Sequence, residues 1–164
     1  MTAEDGSGGA QPIVLGTLRA WLTSGDPLLE QLAFHTAYSH PERIPELTDE
    51  DRLDICLCFL EKGLAGHYGN RIPDGPYTLA HTTLDWLREV SELDSPSGRR
   101  TLAAILSLLE RLARNGDPGT RDVIVLGILE HAFEDPRMRV LFAGWMQDTA
   151  LHVLYKEAAH LAGA

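Results

Sequence analysis

Asn115-Gly116-Asp117-Pro118-Gly119-Thr120-Arg121-Asp122 runs on into Val123-Ile124-Val125-Leu126-Gly127-Ile128-Leu129. The stretch reads as a helix stop, a tight turn, a helix start and a helix apolar on every side. Gly116 suits the left-handed position just past a helix end. Asp117 can accept hydrogen bonds from the first free amides of the next helix, and Pro118 sits where a missing N–H costs nothing. A helix without a polar face has to be wrapped by other helices. The stretch therefore predicts a layered helical fold, and it carries no reactive pattern.

Outward from 118–133 the same grammar repeats. Helical spacing places Leu102, Ile105, Leu106, Leu109 and Leu112 on one stripe of a helix opened by Asp94-Ser95-Pro96. An earlier helix, about 77–90, carries Leu79, Ala80, Leu84, Leu87 and Trp86 inward. Thr48 and Asp51 have the spacing of a capping box and introduce a helix through Leu64. Gly25-Asp26-Pro27 repeats the tripeptide at 116–118 and starts a helix to about Tyr38, with Leu28, Leu29, Leu32 and Ala33 facing inward. Ile13, Val14, Leu18, Trp21 and Leu22 form the stripe of the first helix. Asp135-Pro136 opens a short helix to about Trp145, and 148–161 closes the chain with Leu151, Leu154, Tyr155 and Ala158 on one side. No strand is expected. The expectation is an all-α domain over 12–164, an antiparallel helix-pair stack or multi-helix bundle of about seven to eight helices. Residues 1–11, acidic and glycine-rich, are expected to be a disordered tail.

Composition narrows the function classes. The chain has 164 residues, enough to bury roughly 70% of its unfolded surface in one core. Its formal charge of −10 opposes binding to nucleic acid and to anionic lipid, and favours a basic partner. No apolar run reaches the ~20 residues needed to cross a bilayer, and the first residues lack the basic and apolar regions of a signal peptide. Cys56 and Cys58, at i and i+2, point to different helix faces and are not expected to bridge. A cytoplasmic location is the expectation. Lys62 and Lys156 are the only lysines, and every other basic residue is arginine.

The segment 102–130, through Leu108, Leu109, Leu112, Ala113, Asn115, Gly116, Asp117, Arg121, Asp122, Val123, Val125, Leu129 and Glu130, resembles an uncharacterised group of small all-helical bacterial proteins. The resemblance implies a HEAT- or armadillo-like helix stack. Some members of that group resemble immunity proteins encoded beside polymorphic toxins. It supplies no functional residues.

Motifs for chemistry are sparse. Glu157 and His160 form a single Glu-x-x-His, where carboxylate metalloproteins need two copies and further carboxylates. His131 ends the most apolar helix, where the helix dipole favours a cation. Glu130 and Glu134 share a helical face. His35, His40, His67 and His81 lie in different elements without ligand spacing. No catalytic residue, metal ligand or cofactor is assigned. Gly66–Pro76 is a long loop, and His67, Tyr68, Asn70 and Arg71 make it the best ligand loop by composition. The acidic cluster Glu42, Glu46, Asp49, Glu50 and Asp54 goes beyond what the dipole of one helix start accounts for, because Glu42 and Glu46 precede that start. Such a face steers a basic protein onto itself. The expected function is a non-catalytic protein-binding domain, in its specific form an immunity- or antitoxin-like inhibitor. The alternative is a small-molecule-binding or enzymatic helical domain with its pocket under Gly66–Pro76.

Overall fold

The computed structural model of the chain describes residues 11–164, so the tail expected at 1–11 lies outside the described residues except for Gln11, which is irregular. The chain is all-α, and no strand occurs among the described residues. It divides into two compact units, with the boundary inside one helix after Cys56.

The first unit holds α1 (Leu15–Leu22), α2 (Pro27–Ser39) and the start of α3 (Asp49–Leu64). Gly25, at φ 76, takes the left-handed turn between α1 and α2, and the Asp26 carboxylate accepts from Leu28 N at 2.9 Å. The capping box forms in both directions. Thr48 Oγ1 accepts from Asp51 N at 3.1 Å, while Asp51 Oδ2 accepts from Thr48 N at 3.3 Å. Arg52 then reaches back over α2, donating to the carbonyls of Ala37 at 3.0 Å and Tyr38 at 2.7 Å. One planar guanidinium thus closes two successive helix-end carbonyls. Ile13 N donates to Arg43 O at 2.7 Å and straps the start of the described chain to the segment before α3.

Two expected stripes differ from the observed ones. In α2 the buried set is Glu30, Ala33, Phe34, Thr36 and Ala37, while Leu28 and Leu32 stand 57% and 47% exposed. The sequence allows two overlapping helical stripes there, and the one carrying the Phe34 ring faces in. In α1, Val14 is the N-cap and is exposed, while Leu18 and Leu22 are buried.

The second unit holds the rest of α3, α4 (Pro76–Ser91), α5 (Pro96–Asn115), α6 (Pro118–Ile124), a π turn (Val125–Leu129), α7 (Glu130–Phe133), α8 (Pro136–Val140), a 3-10 turn (Ala143–Gln147) and α9 (His152–Leu161). α6, the π turn and α7 run on as one central helix, as expected for 118–133. Val123, Ile124, Val125, Ile128 and Leu129 are buried, and Leu126 alone of that run stands out, 38% exposed. α4 and α5 form a hairpin, and α4, α5 and α9 pack on the central helix. The Asp-Pro and Ser-Pro starts act as expected. Asp117 Oδ1 accepts from Thr120 N at 2.7 Å, Ser95 Oγ from Gly98 N at 3.0 Å, and Asp135 Oδ1 from Arg137 N at 2.9 Å.

Gly116 corrects its expectation. Its φ is −70 and ψ 156, ordinary extended backbone rather than left-handed. Its need is space: a Cβ there would press on Leu112 O and lie 2.8 Å from the Thr120 side chain. Arg121 repeats the device of Arg52, donating to Ala113 O at 3.1 Å and Arg114 O at 3.2 Å.

Candidate functional site

The acidic edge lies in the first unit. Glu42 is exposed on a 3-10 turn (Pro41–Arg43), its carboxylate 3.4 Å from His40 Nδ1. Glu46 is exposed in the segment before α3, and Asp49 is exposed at its first position. Glu50 and Asp54, one turn apart on α3, are both exposed. Glu46, Glu50 and Asp54 pair with no cation among the described residues. Asp51, between them, is spent internally. The Thr48 hydroxyl donates to it at 2.7 Å and Arg19 pairs with it, and the Thr48 bond above all holds its carboxyl below the usual range. Cys56, buried behind this turn, has its thiol pushed up to about 12 by burial, as an inert core sulfur should.

The loop 66–75 is braced on its own backbone. Gly66 and Gly69 take left-handed φ values of 73 and 55. Tyr68 is buried and stacked on Phe59 with ring centroids 5.1 Å apart. Arg71 donates to Tyr68 O at 3.1 Å and His67 O at 2.7 Å, a third guanidinium closing successive carbonyls. Tyr68 and Arg71 therefore hold the loop, and His67 and Asn70 are its outward polar groups.

A groove of about 490 Å³ opens in the second unit between α5, the 3-10 turn and the start of α9. Leu106, Leu141, Trp145 and Leu151 line its apolar side. Its polar side is an ionic chain. Arg114 donates to Glu110 Oε1 at 2.8 Å and pairs with Asp148, which also accepts from Ala150 N at 2.8 Å and Leu151 N at 3.0 Å. The Arg114 bond above all holds the Asp148 carboxyl down, and Asp148 in turn raises the Arg114 guanidinium. Sequence reading missed this cluster because 34 residues separate Arg114 from Asp148. Its one local sign was Asp148 ahead of an apolar helical run.

The π turn carries the other convergence. Gly127 meets α4 at Ala80, where an added Cβ would lie 2.7 Å from the Ala80 Cβ. One residue beyond Ala80, His81 faces His131, with ring centroids 5.3 Å apart and planes tilted by 36°. His131 Nδ1 is 3.5 Å from Glu134 Oε1, and Arg88 donates to His131 O at 3.3 Å. These histidines, without ligand spacing in the sequence, are brought together by the fold. Glu157 and His160 are both exposed on the last turns of α9. Among the described residues no group of three or more histidines, cysteines and carboxylates is arranged to hold an ion. None of the described helices is long and apolar enough to cross a membrane. Comparison of the chain with protein-family models, with curated proteins and with solved structures finds no match.

Proposed function

We propose that this chain is a non-catalytic binding domain that docks a basic protein through the acidic edge of its first unit, in the manner of an immunity- or antitoxin-like inhibitor. One observation carries the reading: Asp51 pairs with Arg19 of its own unit, whereas Glu46, Glu50 and Asp54 are exposed and pair with no cation among the described residues. Leaving three carboxylates unpaired on one edge sets up a field that speeds encounter with a positive surface. The chain's charge of −10 extends that field beyond the contact. Glu42 and Asp49, also exposed, add charge of the kind that affects association rate more than residence time.

The test is affinity capture from the protein's own cells at low salt, with wild type beside the triple variant E46Q/E50Q/D54N. All three side chains are exposed, so circular dichroism should report an unchanged helix content. The expected result is a basic protein retained by wild type, released by salt and lost from the variant. Equal capture by both proteins, or no retained partner, overturns the proposal.

A second reading, a small-molecule-binding helical domain, draws support from the groove beside Trp145 rather than from the braced loop at 66–75. Filling that groove with Ser107→Trp should abolish any ligand-induced thermal shift if this second reading holds.

A further inference from the structure

We propose that His81 and His131 form an open two-imidazole site for a divalent transition metal ion of the zinc, nickel and copper class, held between α4 and the end of the central helix. The inference is independent of the acidic edge.

Ring geometry is the first support. Two imidazoles sharing a tetrahedral ion, with metal–nitrogen bonds of about 2.0–2.1 Å, place their centroids roughly 5 Å apart. The observed separation is 5.3 Å. Glu134 is the second. A histidine that binds a metal through one nitrogen commonly donates its other N–H to a carboxylate, which fixes the tautomer and orients the ring. The Glu134 carboxylate lies 3.5 Å from His131 Nδ1, which leaves His131 Nε2 as the ligating atom.

The main chain supplies the third. The glycine at 127 lets the π turn approach α4 at Ala80 more closely than a Cβ would allow. The histidines follow on either side of that contact, so backbone packing sets their spacing. A π turn also spends one residue more than an α turn, and this shifts His131 by about 100° around the helix from its place in an unbroken one. Arg88, the cation bound to the His131 carbonyl, is itself paired with Asp85 at 3.6 Å.

The donor set selects the class of ion. Imidazole nitrogens suit zinc, copper and nickel, whereas calcium and magnesium demand oxygen. With two protein ligands the remaining positions fall to water, so the ion is exchangeable and open to a further ligand. His81 is exposed and His131 half-buried, so both are reachable from solvent.

The experiment titrates zinc chloride into tag-free full-length protein, reading heat and histidine ring resonances. Copper(II) electron paramagnetic resonance then counts the bound nitrogens. The expected result is one ion per chain, movement of the His81 and His131 resonances, and two nitrogen ligands. Either H81A or H131A should weaken binding tenfold or more. E134Q, which leaves both ligands in place, should weaken it by about tenfold. The double variant H152A/H160A should bind like wild type. Resonance shifts confined to other histidines, or affinity unchanged in both H81A and H131A, overturn the proposal. Should H131A lose helix content, H81A on the exposed face of α4 still decides the outcome.

Discussion

Replacing Gly116 with alanine is expected to destabilise the second unit by about 1–3 kcal/mol, because the new methyl overpacks against backbone and the Thr120 side chain. Gly25→Ala should cost about 1 kcal/mol for a different reason, the left-handed φ of 76. The two are separable by Asn, which tolerates left-handed backbone. Gly25→Asn should recover much of the loss, whereas Gly116→Asn should be as damaging as alanine. Urea denaturation of the four variants checks this. Asp117→Ala should cost about 1 kcal/mol through the lost cap. Arg121→Lys should also destabilise, by about 1 kcal/mol, since an ammonium cannot span both carbonyls as the guanidinium fork does. From the sequence, Gly25-Asp26-Pro27 and Gly116-Asp117-Pro118 look alike. The Asp and Pro do act alike, but each glycine's task depends on what packs above it. Leu112 and Thr120, four residues to either side of Gly116, decide that contact, and a tripeptide does not contain them.

At the scale of elements, the π turn makes a prediction that an ordinary helix does not. It accommodates one residue beyond the α-helical repeat, so deleting Leu126, which is 38% exposed, restores α geometry and leaves α7 in a native-like phase. Deleting Ala104 within α5 instead rotates every later residue of that helix by about 100° and turns Leu108 and Leu109 out of the core. Thermal melts should therefore show a much smaller loss for the Leu126 deletion than for the Ala104 deletion. Periodicity foretold the central helix from Val123 to Leu129, because unbroken apolarity needs no phase. It could not foretell the π turn, which lies where Gly127 meets Ala80 of another helix, a contact between residues far apart in the chain. It misplaced the buried face of α2 for a related reason. Leu28 and Leu32 make one plausible stripe and Ala33, Phe34 and Ala37 another, and only tertiary packing chooses between them.

For the whole molecule, the titration of four carboxylates sets the acid limb of stability. Asp51, Asp117, Asp135 and Asp148 are held below 3.8 in the folded chain, by bonds from Thr48, Thr120, Arg137 and Arg114 respectively. The unfolded chain takes up these protons more readily. Their stabilisation is therefore complete above about pH 4 and drains away as the pH falls through the ordinary value toward the lower folded ones. Urea midpoints should drop over that interval, and Asp→Asn at the four positions should flatten the drop. The all-helical class, the caps and the acidic edge were legible because each is written in neighbouring residues. The groove beside Trp145 and the meeting of His81 with His131 were not, because both join residues far apart in the chain.

The three guanidinium forks of Arg52, Arg71 and Arg121 have a practical corollary. Helix-end carbonyls, and in the 66–75 loop those of His67 and Tyr68, are tied down by a functional group that amine-reactive reagents leave alone, while the chain carries only two lysines, Lys62 and Lys156. Succinimidyl dyes or biotin should thus decorate the protein at few positions and leave those ties intact, whereas dicarbonyl reagents such as phenylglyoxal should unravel it.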